Sequence, residues 1–524
     1  MHTLYAVNNR LWTALEEALT PLPRGSKDSR IMHALPAAYL LPGAVATGLA
    51  SCVASLFSRE VARDPREDFS AVCRDSRLWE KLGPLEPRLG LENPNFLIGT
   101  ATSTFQDSGA VNCPNSQWAD WEKGCVKEGN RSEDSANLFQ LYRTAKGRKE
   151  IGERLKKIGA NSYRFSVEWS QIQPTAKRFD NKVMQVYIAF CKYLRDEGIQ
   201  PMVTLHHFSE PKWFHKLGSF EKEENIGYFV DFAKKAFTAL TVPYHGKPIV
   251  EYFCTINEPT VEAMLRNITG EFSPGNRLHI EKAAIFLKTM LKAHIRTYEE
   301  LKAIAPEVTV GIVHQPFTII AQNPLLNPLA RYINRFTNEA ASNLFKTGKF
   351  ELKIPFFCNV VEEGLKAKTD VVFLQYYVRS VFGFFGPTSF HEPMTGMPWR
   401  EDPEGIYEAI IEAHHSFKAP VMISENGIST KSDEQRARYM SRALFATQKA
   451  QEVIGKDNFQ GYFLWSFCDN SEWAFGLDPQ KFGAYAVNSE NGKRFLAKEP
   501  KPGIAPFIKV AQAWQARWVM NNPD

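Results

Sequence analysis

The chain has 524 residues, 44% hydrophobic and 23% charged, a globular composition that excludes a disordered or fibrous protein. The 63 Lys and Arg against 58 Asp and Glu leave a net charge of +5 with no basic block, so no nucleic-acid partner is expected. The eight cysteines (52, 73, 113, 125, 191, 254, 358 and 468) form no CxxC pair and no Cys/His cluster. They read as free thiols of a reducing, cytoplasmic compartment, with no metal site.

Residues 1–92 differ in pattern from the rest of the chain and are expected to form a mostly helical extension. Within it, residues 31–58 carry no Asp, Glu, Lys or Arg and lie between Arg30 and Arg59. That length could span a bilayer. Pro36, Pro42 and many small residues weaken this reading, and the stretch starts too late for a simple secretory signal. Two readings stand: a helical hairpin packed on the main domain, or a segment in contact with a membrane.

Residues 93–524 are expected to form one domain. Short β-rich runs alternate with helical stretches in chain order. The runs are 96–102, 161–169, 201–208, 252–259, 308–317, 370–378, 420–427 and 461–467. Between them, 150–159, 183–198 and 281–304 place apolar residues at helical spacing. Eight mostly apolar strands separated by helices predict an α/β fold, a closed parallel (β/α)8 TIM barrel. No G-x-G-x-x-G or Walker motif argues for an open doubly wound sheet.

Such a barrel works at the C-terminal ends of its strands. There the chain offers Gln106, Arg164 with Glu168 and Trp169, His206 and His207, Asn257 and Glu258, Tyr376 and Tyr377, Glu425 and Asn426, and Trp465 followed by Glu472 and Trp473. Any one of these reads more readily as a helix cap or a solvated side chain; their gathering at one rim is harder to dismiss. Two glutamates ending strands four and seven suggest a retaining glycosidase, in which one carboxyl is acid then base and the other a nucleophile. Arg164 is the cation expected to keep the nucleophile ionised, and Asn257 an amide for a sugar hydroxyl.

The motifs then resemble those of glycoside hydrolase family 1, over residues 94–488. "FLIGTATSTFQ", "NSYRFSVEWSQIQP", "TLHHFSEPKWF", "TINEP", "MPWREDPEGIYEAI", "ISENG" and "GYFLWSFCDNSEWAFG" occur in the family's order. The resemblance implies Glu258 as acid/base and Glu425 as nucleophile. It implies support from Arg164, Asn257 and Tyr377, and sugar contacts from Gln106, His207, Trp399, Trp465, Glu472 and Trp473. It implies no metal and no organic cofactor, and a small-molecule β-glycoside substrate whose terminal glucosyl or galactosyl residue is hydrolysed by double displacement. Glu472 implies an unphosphorylated glycone, because a carboxylate accepts hydroxyl hydrogen bonds and repels a phosphate. Two other readings stand beside hydrolysis: transfer to a sugar or glycolipid acceptor, and sugar binding without catalysis. The chain departs from the family pattern at Gln375, where Asn is usual, at Phe208 in place of Trp, at Asn488 in place of Asp, and across residues 261–275.

Overall fold

The computed structural model describes residues 88–321, 324–383, 386–388, 393–478 and 480–518. The helical extension and the 31–58 segment lie outside the described residues. No helix among the described residues is long and apolar enough to cross a membrane.

Eight parallel strands form the centre: β1 Leu97–Ala101, β2 Ser162–Ser166, β3 Gln200–His206, β4 Tyr252–Ile256, β5 beginning at Thr309–Gly311, β6 Val372–Tyr376, β7 Val421–Asn426 and β8 Phe459–Trp465. Each pairs with its neighbour in sequence, and β8 returns to β1 with Leu97 opposite Gly461 and Ala101 opposite Trp465. The ring closes through β5. Its first piece pairs with β4; after Ile312 the strand resumes as Val313–His314 and pairs with β6. Gly311 permits this handover: a Cβ there would lie 2.2 Å from the carbonyl oxygen of Val371.

Helices follow the strands: α1 Ala145–Lys157, α2 Asn181–Asp196, α3 Ile226–Leu240, α4 Ile280–Ile304, α5 Ala340–Thr347, α6 Gly405–Phe417, α7 Asp433–Ile454 and α8 Ala505–Trp518. Their caps follow from local sequence. Thr144 accepts from the Gly147 amide to start α1, and Asp180 accepts from Lys182 and Val183 to start α2. The strands are buried on both faces, which is why they read as apolar runs. One face packs against the helices through Ile98, Tyr163, Phe165, Val203, Phe253, Leu374 and Ile423. The other fills the barrel with Leu97, Ala101, Met202, Cys254, Val313, Phe373, Met422 and Phe463. The packing of this domain begins before residue 93, since Leu89 is already part of the outer core and Gln451 of α7 accepts from the Gly90 amide.

Candidate active site

Below the C-terminal rim the barrel is filled with hydrocarbon; at the rim the inward positions become polar. Arg164 is the first of them. It alternates with the outward-facing Tyr163 and Phe165, and it is fully buried. Its Nη1 donates to Glu425 Oε1 at 2.5 Å, its Nη2 to Asn257 Oδ1 at 2.7 Å, and its Nε to Thr204 at 3.1 Å. One guanidinium thus ties the end of β4 to the end of β7, across the mouth of the barrel.

Strict alternation would turn Glu425 outward, like Ile423. The register slips instead: Leu374 pairs with Ile423, but the next residue, Gln375, pairs with Glu425. This bulge at Ser424 re-aims the carboxylate into the barrel mouth. Asn426 consequently faces the helices, where it bonds the Tyr376 carbonyl, Tyr439 and Tyr462. Tyr377, one residue beyond β6, donates its hydroxyl to Glu425 Oε2 at 2.8 Å.

Glu258 ends β4 in the left-handed region, at φ 41° and ψ 60°, and Pro259 opens the helix Pro259–Met264. A non-glycine residue there is strained, and Phe208 (φ 60°) and Trp473 (φ 42°) share that conformation at the same rim. The sharp turn leaves Glu258 buried, with Asn257 alongside held by two donors, Arg164 at 2.7 Å and Gln375 Nε2 at 2.9 Å. Together they occupy the Asn257 carbonyl and leave its Nδ2 for a ligand.

The two carboxyls differ in what surrounds them. Burial pushes both up. Glu258 rises well above the usual carboxylate range, because the charge of Glu425 adds to its burial. Glu425 is raised too, but Arg164, Tyr377 and Gln375 pull it back. The pair therefore holds its proton on Glu258.

Around them, Gln106 Nε2 reaches Glu472 Oε2 at 3.3 Å. The His207 ring stacks parallel to both Trp465 and Trp473, 6.0 Å away in each case. Burial and Arg164 hold His207 neutral. Trp473 packs on Phe105, Trp118, Phe208 and Phe272. Trp399 lies partly buried against the cluster that contains Trp465. Gln106 Oε1, His207 Nδ1 and Gln375 Oε1 are buried without a partner in the protein. These are the groups a polyhydroxylated ligand would satisfy. Among the described residues no group of three or more His, Cys, Asp or Glu could hold a metal ion.

The profile of Glycosyl hydrolase family 1 matches residues 93–350 and 355–501. The chain belongs to this family. Its members hydrolyse glycosidic bonds, and this chain is such a hydrolase. Beta-glucosidase A of Thermotoga maritima is 26% identical over 462 residues, spanning 82% of this chain and 97% of that protein. The 6-phospho-beta-galactosidase of Clostridium acetobutylicum is 26% identical, spanning 77% of this chain and 94% of its own. The beta-glycosidase structure from Pyrococcus horikoshii superposes with a TM-score of 0.68 at 29% identity, over 81% of this chain and 96% of that one.

In this family 1 chain, some strand-end residues turn away from the rim. Glu168 accepts from the Ser170 amide and hydroxyl and from Ser209, so it caps a helix. Trp169 packs among Trp213, Phe214, Phe229 and Phe232. His206 bonds Glu262 at 2.8 Å and faces Phe220 and Phe229. Tyr376 bonds Asp402 at 2.6 Å behind the barrel. Asn488 sits exposed on the strand Val487–Glu490, where it pairs with Phe495 of the antiparallel strand Lys493–Leu496.

One residue at the site escaped the sequence reading. Gln315, directly after β5, sits against the Glu258 carboxyl; with its nitrogen turned inward it donates to both oxygens, at 3.2 Å to Oε2. The signal was there: the fifth run ends "VHQPF", with an amide at the position where the other strands end in polar groups.

Tyr377→Phe removes a hydroxyl that favours ionised Glu425. It is expected to lower kcat/KM about tenfold and to move the acidic limb of the pH–rate profile up by as much as ~1 pH unit. An unchanged limb would mean that the 2.8 Å bond to Glu425 has no influence on its ionisation.

Proposed function

We propose that the chain is a retaining β-glycosidase that removes an unphosphorylated glucosyl or galactosyl residue from the non-reducing end of a β-glycoside. In the first step Glu425 attacks the anomeric carbon while Glu258 gives its proton to the leaving oxygen. In the second, Glu258 takes a proton from water as the water oxygen displaces Glu425. The observation that carries this reading is the Arg164 bridge: the same guanidinium that holds Glu425 holds Asn257, the neighbour of Glu258. Carboxyls roughly 5–5.5 Å apart suit direct attack, whereas a wider gap would admit a water for inversion. The opposed environments of the two glutamates support the division of roles, with the proton on Glu258 and the charge on Glu425.

The glycone assignment rests on Glu472. Burial and the charge of Glu425 push its carboxyl up to about 8, with Gln106 alone opposing the shift and no cation contributing. A neutral or ionised carboxyl with an amide beside it suits two vicinal hydroxyls; a phosphate would find no countercharge there. This bears on substrate because the relatives include both a beta-glucosidase and a 6-phospho-beta-galactosidase. Purified protein assayed on nitrophenyl β-glucoside, β-galactoside and their 6-phosphates is expected to favour the unphosphorylated pair by at least ~100-fold in kcat/KM. A preference for either phosphate would overturn the glycone assignment. An α-anomeric sugar as the first product, seen by NMR, would overturn retention.

A further inference from the structure

We propose that Gln315 is a positioning residue that supports the Glu258 carboxyl in both protonation states, by presenting either the oxygen or the nitrogen of its amide. This rests on the reading of Glu258 as acid and then base.

β5 lies beside β4, and the residue after its second piece is Gln315, held between His314 and the buried Pro316. Its amide touches both oxygens of Glu258. With its nitrogen turned inward, this amide is placed to hydrogen-bond the carboxyl. Glu425 is different, with a guanidinium on one oxygen and a phenol on the other, both donors. That set suits a carboxylate kept ionised before each attack. Glu258 needs the opposite. It must be a carboxylic acid before the glycosidic C–O bond breaks, and a carboxylate before water attacks the glycosyl ester. A Lys or Arg would stabilise only the second form. A primary amide serves both. Its oxygen accepts from the Glu258 O–H in the resting acid, until the leaving oxygen of a bound substrate takes over that hydrogen bond. After half a turn about Cγ–Cδ, its nitrogen donates to the carboxylate. The proton itself passes from Glu258 to the leaving oxygen in the first step, and from water to Glu258 in the second; Gln315 neither gives nor takes one.

The test compares full-length wild type with Gln315→Met, which keeps the length of the side chain, has no donor and accepts only weakly. Three rates are read. One is kcat/KM on an alkyl β-glycoside, which needs the acid. Another is kcat on a 2,4-dinitrophenyl β-glycoside, limited by the water step that needs the base. The third is kcat/KM on the dinitrophenyl substrate, whose leaving group departs with little help. The first two are expected to fall roughly tenfold, the scale of one hydrogen bond to a charged group; the third is expected to fall far less. Gln315→Leu, checked by thermal unfolding, is the second variant and should behave alike. A fall in only one of the first two rates would mean one-way support and overturn the proposal. So would an equal fall in all three, or in none. Glu258→Gln is the reference. If it fails to separate the two leaving groups, the assignment of Glu258 is at fault; if it separates them and Gln315→Met does not, only the role of Gln315 falls.

Discussion

Glu425→Gln is expected to cut turnover of an aryl β-glucoside by at least ~10⁴-fold, because the loss of a covalent nucleophile in other enzymes has effects of that order or larger. The substitution is nearly isosteric: a glutamine oxygen can accept from Arg164 in place of Oε1, and its nitrogen can donate to the Tyr377 hydroxyl in place of Oε2, the two partners that now hold Glu425 at 2.5 and 2.8 Å. Folding should therefore survive while nucleophilicity is lost. A 2-fluoro β-glycoside with a good leaving group should trap the wild-type chain as a glycosyl ester on Glu425, read by peptide mass spectrometry. Normal turnover by the variant, or a label on another residue, would refute the assignment. Sugar binding without labelling or turnover of the wild type would point to a binding protein.

Arg164→Met should be nearly as damaging, for an electrostatic reason. Breaking a buried ion pair by removing one partner commonly destabilises a fold by about 3–5 kcal/mol. The full amount is not expected here, because Glu425 has an escape: it takes a proton. Without the guanidinium its carboxyl, already raised by burial, rises further. The sign follows. The nucleophile must be ionised, so kcat/KM climbs with pH through this group, and a higher pKa moves the acidic limb to higher pH. At a fixed pH below that limb, the rate drops tenfold for every pH unit the limb has moved. Arg164 also draws the Glu258 carboxyl down, and on the alkaline side Glu425 is ionised and still repels charge there, so without the guanidinium Glu258 rises too and the alkaline limb moves up. The whole profile should shift to higher pH, with its maximum lowered by roughly 10²–10³-fold. A profile lowered uniformly with both limbs in place would show that Arg164 acts on packing alone.

Some of this site could be read from the chain and some could not. Arg164 was legible, because a cation between two aromatics on a strand whose other face is core has to point into the barrel. His207 was distinguishable from His206 only through the family motif, since alternation along β3 favours His206: Met202 faces the barrel interior and Val203 the helices. The chain breaks that alternation at its end, so that His206 meets Glu262 and Phe220 outside and His207 stacks on Trp465 and Trp473 inside. Gln315 went unread because its meaning depends on Glu258, 57 positions earlier and on the neighbouring strand.

The amino-acid order by itself determined the strand–helix alternation, the apolar character of both strand faces, the set of polar residues at the C-terminal ends, and the family. These follow from local burial and local propensity, which leave a periodic trace in the chain. Arg164 apart, the tertiary structure decided which way those end residues point. The slip at Ser424, the left-handed turn at Glu258 and the divided β5 are consequences of hydrogen-bond register between strands far apart in sequence. Closing a ring of strands forces those adjustments, and no single segment contains the information that sets them.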